Sequence, residues 1–251
     1  IELKTSPGTT FSYLGFNLAD PLTGDIRLRQ AIAHAIDRGA ILRHLFQGYA
    51  IASNTLLAPG HWASPAQLPS YRHDPARARA LLAQIGHGPD KPLRLSYKTS
   101  SDPFRQRVAA ALQAQLAAVG IHLDIRSYEW GTFFADIKAG NFQLYSLSWV
   151  GIRSPDIFRY VFHSESKPPD GANRGRYYAP PVDALIEQAE RLPAAQAAAL
   201  YHRLQGRVHA DLVYVPLWHE HNLLLSRGLR NAIPRQDGSY GFLEQVSFQD
   251  E

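Results

Sequence analysis

One pattern limits the fold of this chain more than any other: a helix start, a helix stop and an alternating strand, then the same again. Asp74-Pro75 places a capping carboxylate before a proline at the first helical position, where the missing N–H costs nothing. Ala78, Leu81, Leu82 and Ile85 form an apolar stripe that Gly86 ends. Leu93, Leu95 and Tyr97 alternate with Arg94, Ser96 and Lys98, which reads as a half-buried strand. Asp102-Pro103 repeats the start before Val108, Leu112, Leu116 and Val119, and Gly120 repeats the stop. Ile121, Leu123 and Ile125 alternate again, and a third helix over 131–139 leads to a strand over 142–149. Strands and helices in this order join by right-handed crossovers and pair mainly in parallel, so the expected class is α/β. Such sheets bind ligands just beyond the carboxyl ends of their strands, here the loops 98–102, 128–131 and 149–156.

The flanking segments carry weaker signals. A loop-like opening with Pro7-Gly8 precedes a strand over 11–18. Asp25 caps a helix bearing Leu28, Ile32, Ala35 and Ile36, and Asp37 restarts one bearing Ile41, Leu42, Leu45 and Phe46. Residues 50–71, rich in Pro, Ser and Ala, predict a long surface loop, and 164–179 predict a polar one. Two helices follow over 181–191 and 194–210. Residues 212–218 are strand-like despite Pro216, which predicts an edge strand or a bend. The tail beyond shows turn signals at Arg227-Gly228 and Asp237-Gly238 and little periodicity, so it is expected to complete a neighbouring lobe.

Composition removes several classes of function. Hydrophobic residues make up 45% of the 251 and charged residues 19%, values ordinary for a globular chain. The formal charge of +4 is scattered, with no run of three basic residues, which argues for a solvated surface and against a nucleic-acid footprint. Without cysteine there is no disulfide framework, thiolate metal site or Cys nucleophile. No apolar run approaches the roughly 20 residues of a membrane span. The chain has no nucleophile elbow, no zinc-protease motif and no phosphate-cradling loop, so no enzyme activity, catalytic residue or cofactor is expected. His219-Glu220-His221 would put two imidazoles on one strand face, but no third ligand has fitting spacing, and His202 and His209 lie alone on a helix. The opening Ile1-Glu2-Leu3 and the lack of any Met predict a piece of a longer polypeptide.

Several segments fall in the order of one known family. These are Phe16-Asn17, the helix from Arg27 through Ala31-Ile32-Ala33-His34-Ala35-Ile36 to Asp37, and Tyr71-Arg72-His73-Asp74-Pro75-Ala76-Arg77-Ala78. Leu116-Ala117-Ala118-Val119-Gly120-Ile121, Tyr128-Glu129-Trp130, and Asn173 followed by Pro180-Pro181-Val182-Asp183-Ala184-Leu185 complete the set. Together they resemble the extracellular solute-binding proteins of family 5, the peptide and nickel class of ABC importer receptors. The resemblance covers nearly the whole chain and implies the second, C-terminal lobe of a periplasmic-binding-protein-like receptor. Its implied organisation is a hinge segment over 1–17, a ligand-binding lobe over 18–212, and a return hinge strand and tail over 213–251 that complete an absent first lobe.

The implied function is to capture a peptide or similar small solute between two lobes and deliver it to membrane permease subunits. The location implied is periplasmic, or lipid-anchored and extracytoplasmic. In the family's dipeptide binders an aspartate after the Trp loop pairs with the peptide ammonium, and an arginine after an earlier strand holds the carboxylate. Here Ile152 takes the first position and the loop is one residue short, while Lys98, Thr99, Ser100 and Ser101 stand at the second. The expected ligand-binding residues are Lys98, Thr99, Ser100, Tyr128, Trp149, Arg153 and Asp156. Arg153 suits an anionic group or is an exposed loop arginine. Trp149 is a stacking platform or a core indole at a strand end. Trp130 braces the turn after Tyr128, and Arg174 and Arg176 belong to the cleft rim or to a solvated loop. The rival reading is an effector-sensing domain of a transcription regulator built on the same fold, since fold alone does not fix function.

Overall fold

A computed structural model of the chain describes residues 1–248, so the last three residues of the 213–251 tail lie outside the described residues. Its centre is a six-stranded mixed sheet ordered β2-β6-β1-β5-β3-β4. The strands are β1 (Glu2–Phe16), β2 (Ala50–Ala52), β3 (Leu93–Ser100), β4 (Ile121–Tyr128), β5 (Leu144–Trp149) and β6 (Tyr214–Ser226). The crossover strands pair in parallel, β3 with β4 and with β5. β1 runs antiparallel between β5 and β6, and β2 pairs with β6 in the same sense.

Helices cover both faces. α1 (Ile26–Ala35), α2 (Arg38–Leu45), α3 (Pro75–Gln84) and α4 (Pro103–Ala117) serve one core, with Leu28, Ile32, Leu81, Leu112 and Leu116 packed on Leu93, Leu95 and Tyr97. α5 (Trp130–Ala139), α6 (Ile157–Phe162), α7 (Pro180–Glu190) and α8 (Ala194–Ala210) serve the other, with Phe133, Ile137, Phe158, Ile186 and Leu204 packed on Tyr13, Tyr145 and Leu147. Strand alternation divides β1 in the same way: Phe11 and Tyr13 enter the second core, Leu14 and Phe16 the first. The helix starts follow their chemistry. The carboxylates of Asp25, Asp37, Asp74 and Asp102 each accept a backbone N–H of the first turn, from Arg27, Ala40, Arg77 and Arg105.

The structure departs from the sequence expectations in four places. β1 extends back to Glu2, because the outer half of β6 (His221–Ser226 in the register) gives residues 2–7 a partner that local pattern cannot show. Residues 50–71 are no simple surface loop: they contain β2, and Leu56, Leu57 and Ala63 are buried. α6 was absent from the sequence reading, since six residues are too few for a periodic signal. The segment 164–179 has no regular secondary structure, yet Asn173, Arg174 and Tyr177 are buried in it. There Asn173 Nδ2 donates to the carbonyls of His163 and Tyr177, and Asn173 Oδ1 accepts from Tyr177 N–H, which replaces a ladder. Pro216 lies at a register shift opposite Tyr13, on a strand inside the sheet order, and β2 reaches only Trp218 to Glu220. A bend accommodates it, on a stretch of β6 whose far side β2 does not reach.

β7 (Leu229–Arg230) and β8 (Ser247–Phe248) form a separate two-stranded ladder, with a short 3₁₀ turn at Gly241–Gln245 between them.

Candidate ligand-binding site

The carboxyl ends of β3 and β5 meet the start of α4 and the crossing of β1 and β6, and a cavity of about 300 Å³ opens there. Ser146 lines it, and behind that residue the buried Tyr97 Oη lies 2.5 Å from Ser146 Oγ; burial pushes the Tyr97 phenol up to about 12, so it stays a neutral hydrogen-bonding group. The cavity wall on β1 and β5 carries Ser12 and Ser148, whose hydroxyl oxygens are 2.7 Å apart, and Ser12 Oγ donates to Glu220 Oε1 on β6 at 3.1 Å. The opposite wall is the first turn of α4, with Asp102 capping and the Arg105 guanidinium 5.5 Å from the Trp130 ring. Phe104, Val108, Leu217 and Trp218 supply apolar surface. Among the described residues, neither Glu220 nor Arg105 lies within ion-pair distance of an opposite charge. A half-buried carboxylate and a half-buried guanidinium therefore face this space with their charges uncompensated.

The residues expected from the sequence are distributed over several places. Lys98 Nζ meets Asp136 Oδ2 of α5 at 2.5 Å, and it stands 5.3 Å from the centre of the Tyr128 ring. That hydrogen bond holds the Asp136 carboxyl below its ordinary range. Thr99 is fully buried and its Oγ1 has no partner, while Ser100 is buried and its carbonyl accepts from Ser127 Oγ. Tyr128 ends β4, where its carbonyl accepts from Ser101 N–H. These four lie together at the carboxyl ends of β3 and β4. Trp149 stacks on Tyr13 at 6.2 Å and carries the Arg174 guanidinium 4.6 Å above its ring. Arg174 also donates to Tyr13 Oη at 3.2 Å, so this arginine of the 164–179 segment is built into the interior.

Arg153 lines a separate cavity of about 480 Å³ with Thr9, His61, Ile152 and Arg235, and its Nη2 donates to the carbonyl of Asp237 at 3.0 Å. Asp156 borders a third, outward-facing groove beside Trp62, Arg159 and Glu190. His219 is buried, donates from Nε2–H to the Thr55 carbonyl, and packs on Phe11; burial lowers its pKa and favours the neutral ring. Sequence reasoning missed Ser12, Arg105, Ser148, Trp218 and Glu220. Of these, only Glu220 stood in a run singled out from the sequence, His219-Glu220-His221, and strand alternation turns it away from its two histidine neighbours.

The arrangement can hold a small polar or zwitterionic molecule. Comparison with known proteins gives the family. Residues 1–169 match the model of the bacterial extracellular solute-binding proteins, family 5 middle region. The chain belongs to this family. Among family 5 relatives it is 32% identical over 233 residues to the probable di/tripeptide-binding protein 5 of Pseudomonas aeruginosa, covering 90% of this chain and 44% of that protein. It is 29% identical over 193 residues to the dipeptide-binding protein of Escherichia coli, covering 75% of this chain and 36% of that one. In three dimensions this family 5 chain superposes on a Helicobacter pylori ABC transporter-associated periplasmic binding protein, solved in complex with the peptide STSA. The TM-score is 0.83 at 25% identity, over 99% of this chain and 49% of that one. The chain thus spans less than half the length of these relatives.

Proposed function

We infer that this chain is the solute-binding lobe of an extracytoplasmic receptor serving an ABC importer, and that its cargo is a peptide or a similar small solute. The observation that carries the reading is the cavity where hinge strands β1 and β6 meet the carboxyl ends of β3 and β5, in a chain whose relatives include di- and tripeptide-binding proteins. Residues 1–17 and 213–251 serve as crossover and return segments, and 18–212 as the lobe proper. A first lobe closing over the cavity would bring its own contacts to the solute and bury the exposed apolar residues Leu3, Leu223 and Leu225 of the β1–β6 ribbon. Function is then capture without covalent chemistry. The solute favours the closed form by its differential affinity for closed over open, and the closed form docks on membrane permease subunits. Within this reading Tyr128 and Trp149 shape the cleft as rigid aromatic surface, Lys98, Thr99 and Ser100 fix the end of β3, and Arg153 serves the neighbouring 480 Å³ cavity. Asp156 stands at its border groove.

Thermal unfolding of the full-length receptor with a panel of di- and tripeptides, sugars and metal complexes tests this. A true ligand at a hundredfold excess over its dissociation constant adds about 2.7 kcal/mol of stability and raises the midpoint. A shift with peptides supports the reading; a shift only with another solute class keeps receptor function and replaces the cargo. A DNA-bound regulator with no transport phenotype on deletion would overturn it.

A further inference from the structure

We propose that Glu220, on the return hinge strand, is the group that binds the solute's ammonium, and that the 300 Å³ cavity recognises a free amino terminus. The inference rests on the receptor reading above and names the chemistry of its cargo. Its first support is charge. Glu220 is half-buried and has no cation within ion-pair distance among the described residues. A carboxylate so placed gains most from an incoming charge-assisted N–H donor. Its second is the hydroxyl relay. With Ser12 Oγ donating to Glu220 Oε1 at 3.1 Å, the 2.7 Å contact to Ser148 is made by Ser148 donating to Ser12. Both hydroxyls then point their protons toward the carboxylate, which fixes it as an acceptor and leaves Oε2 for a ligand.

An independent observation comes from Trp218, which lines the same cavity, is only 2% exposed, and has no acceptor for its indole Nε1. A buried N–H without a partner costs free energy, and the carbonyl next to an amino-terminal ammonium is the kind of acceptor that would satisfy it. Arg105 across the cavity is likewise free of carboxylate partners among the described residues and gives the opposite pole for a carbonyl or carboxylate. Phe104, Val108 and Leu217 leave an apolar wall for one small side chain. At the Ile152 position the side chain is buried and apolar, and the cavity beside it is lined by Arg153 and Arg235 against one carboxylate, Asp237. The cavity at Glu220 has the opposite balance, Asp102 and Glu220 against Arg105, which favours an ammonium more.

Isothermal titration calorimetry on the full-length receptor decides the matter. The probes are the tightest binder from a panel of unmodified di- and tripeptides and the same peptide with its amino terminus acetylated. For the wild type, acetylation is expected to weaken binding about 30-fold or more, the usual consequence of losing one partner of a buried charged hydrogen bond. Glu220→Gln, which keeps the shape and the Ser12 hydrogen bond, should weaken the unmodified peptide by a similar factor and abolish the preference over the acetylated one. Ser12→Ala should weaken the unmodified peptide by a smaller factor. Unchanged thermal midpoints of the free variants confirm that both fold. Glu220→Gln binding the unmodified peptide within about threefold of wild type, or still rejecting the acetylated one, overturns this inference and leaves the receptor reading standing. A wild type that binds no unmodified peptide of the panel overturns the inference together with the peptide reading of the cargo.

Discussion

Lys98 stands at the carboxyl end of a parallel strand, where a ligand contact is expected, yet its ammonium is engaged by Asp136 and only 11% of its side chain is exposed. Sequence could place it in the loop region but could not show the carboxylate of a helix 38 positions away. Because the Lys98 hydrogen bond holds the folded Asp136 pKa below its unfolded value, the pair stabilises at pH above the unfolded carboxylate range. That contribution is lost as pH falls through the folded pKa. Lys98→Met should therefore cost about 1 kcal/mol at pH 7, and the difference from wild type should shrink steadily below about pH 4. Urea unfolding at a series of pH values measures it; a pH-independent difference would assign the loss to packing alone. Gly8 offers a second test. A Cβ there would lie 2.4 Å from the backbone carbonyl of Glu220, across the register shift between Pro7 and Phe11. Gly8→Ala must push β1 and β6 apart and should cost about 1–3 kcal/mol, read as a lower urea midpoint with an unchanged slope. A midpoint equal to wild type would mean that the two strands separate there without penalty.

At the scale of elements, the strongest local signals translated directly into structure. Asp74-Pro75 and Asp102-Pro103 start α3 and α4, and Gly86 and Gly120 follow them with φ of 79° and 93°, the left-handed conformation that stops a helix. These devices act within one turn, so a single sequence displays them. Asp74→Ala removes the acceptor of Arg77 N–H at 2.9 Å on an exposed helix start far from the cavity. It should cost about 0.5–2 kcal/mol, while solute affinity stays unchanged, and parallel denaturation and calorimetry separate the two readouts. A change in affinity would mean that α3 is coupled to the cavity. What stayed illegible depends on partners distant in the chain. The outer half of β1 exists because β6 returns beside it more than 200 residues later, and the burial of Arg174 depends on Tyr13 of β1 and Trp149 of β5. The cavity is hidden for the same reason: Ser12, Arg105, Ser148 and Glu220 come from four separate elements, and only the folded sheet unites them.

The whole molecule has an asymmetry in where its apolar surface lies. Two closed cores flank the inner sheet, but the outer part of the β1–β6 ribbon carries Leu223 and Leu225 at 53% and 71% exposure, and Leu3 on the neighbouring strand and Ile1 just before it are exposed. Apolar side chains on an open ribbon are costly for an isolated chain, because the ribbon offers both hydrophobic surface and strand edges to other copies. If a first lobe normally packs on this face, the 251-residue chain alone should self-associate through it, and the full-length receptor should not. Leu223→Lys together with Leu225→Lys should raise the monomer fraction of the isolated chain in size-exclusion chromatography with light scattering. Its unfolding midpoint should hardly move, since neither side chain belongs to either core. The same pair of substitutions in the full-length receptor should lower its stability, because there the lysines would be forced against the first lobe. Opposite signs in the two contexts are the mark of a surface that belongs to an interlobe contact. An isolated chain that is already monomeric, or a full-length receptor indifferent to the lysines, would place the first lobe elsewhere.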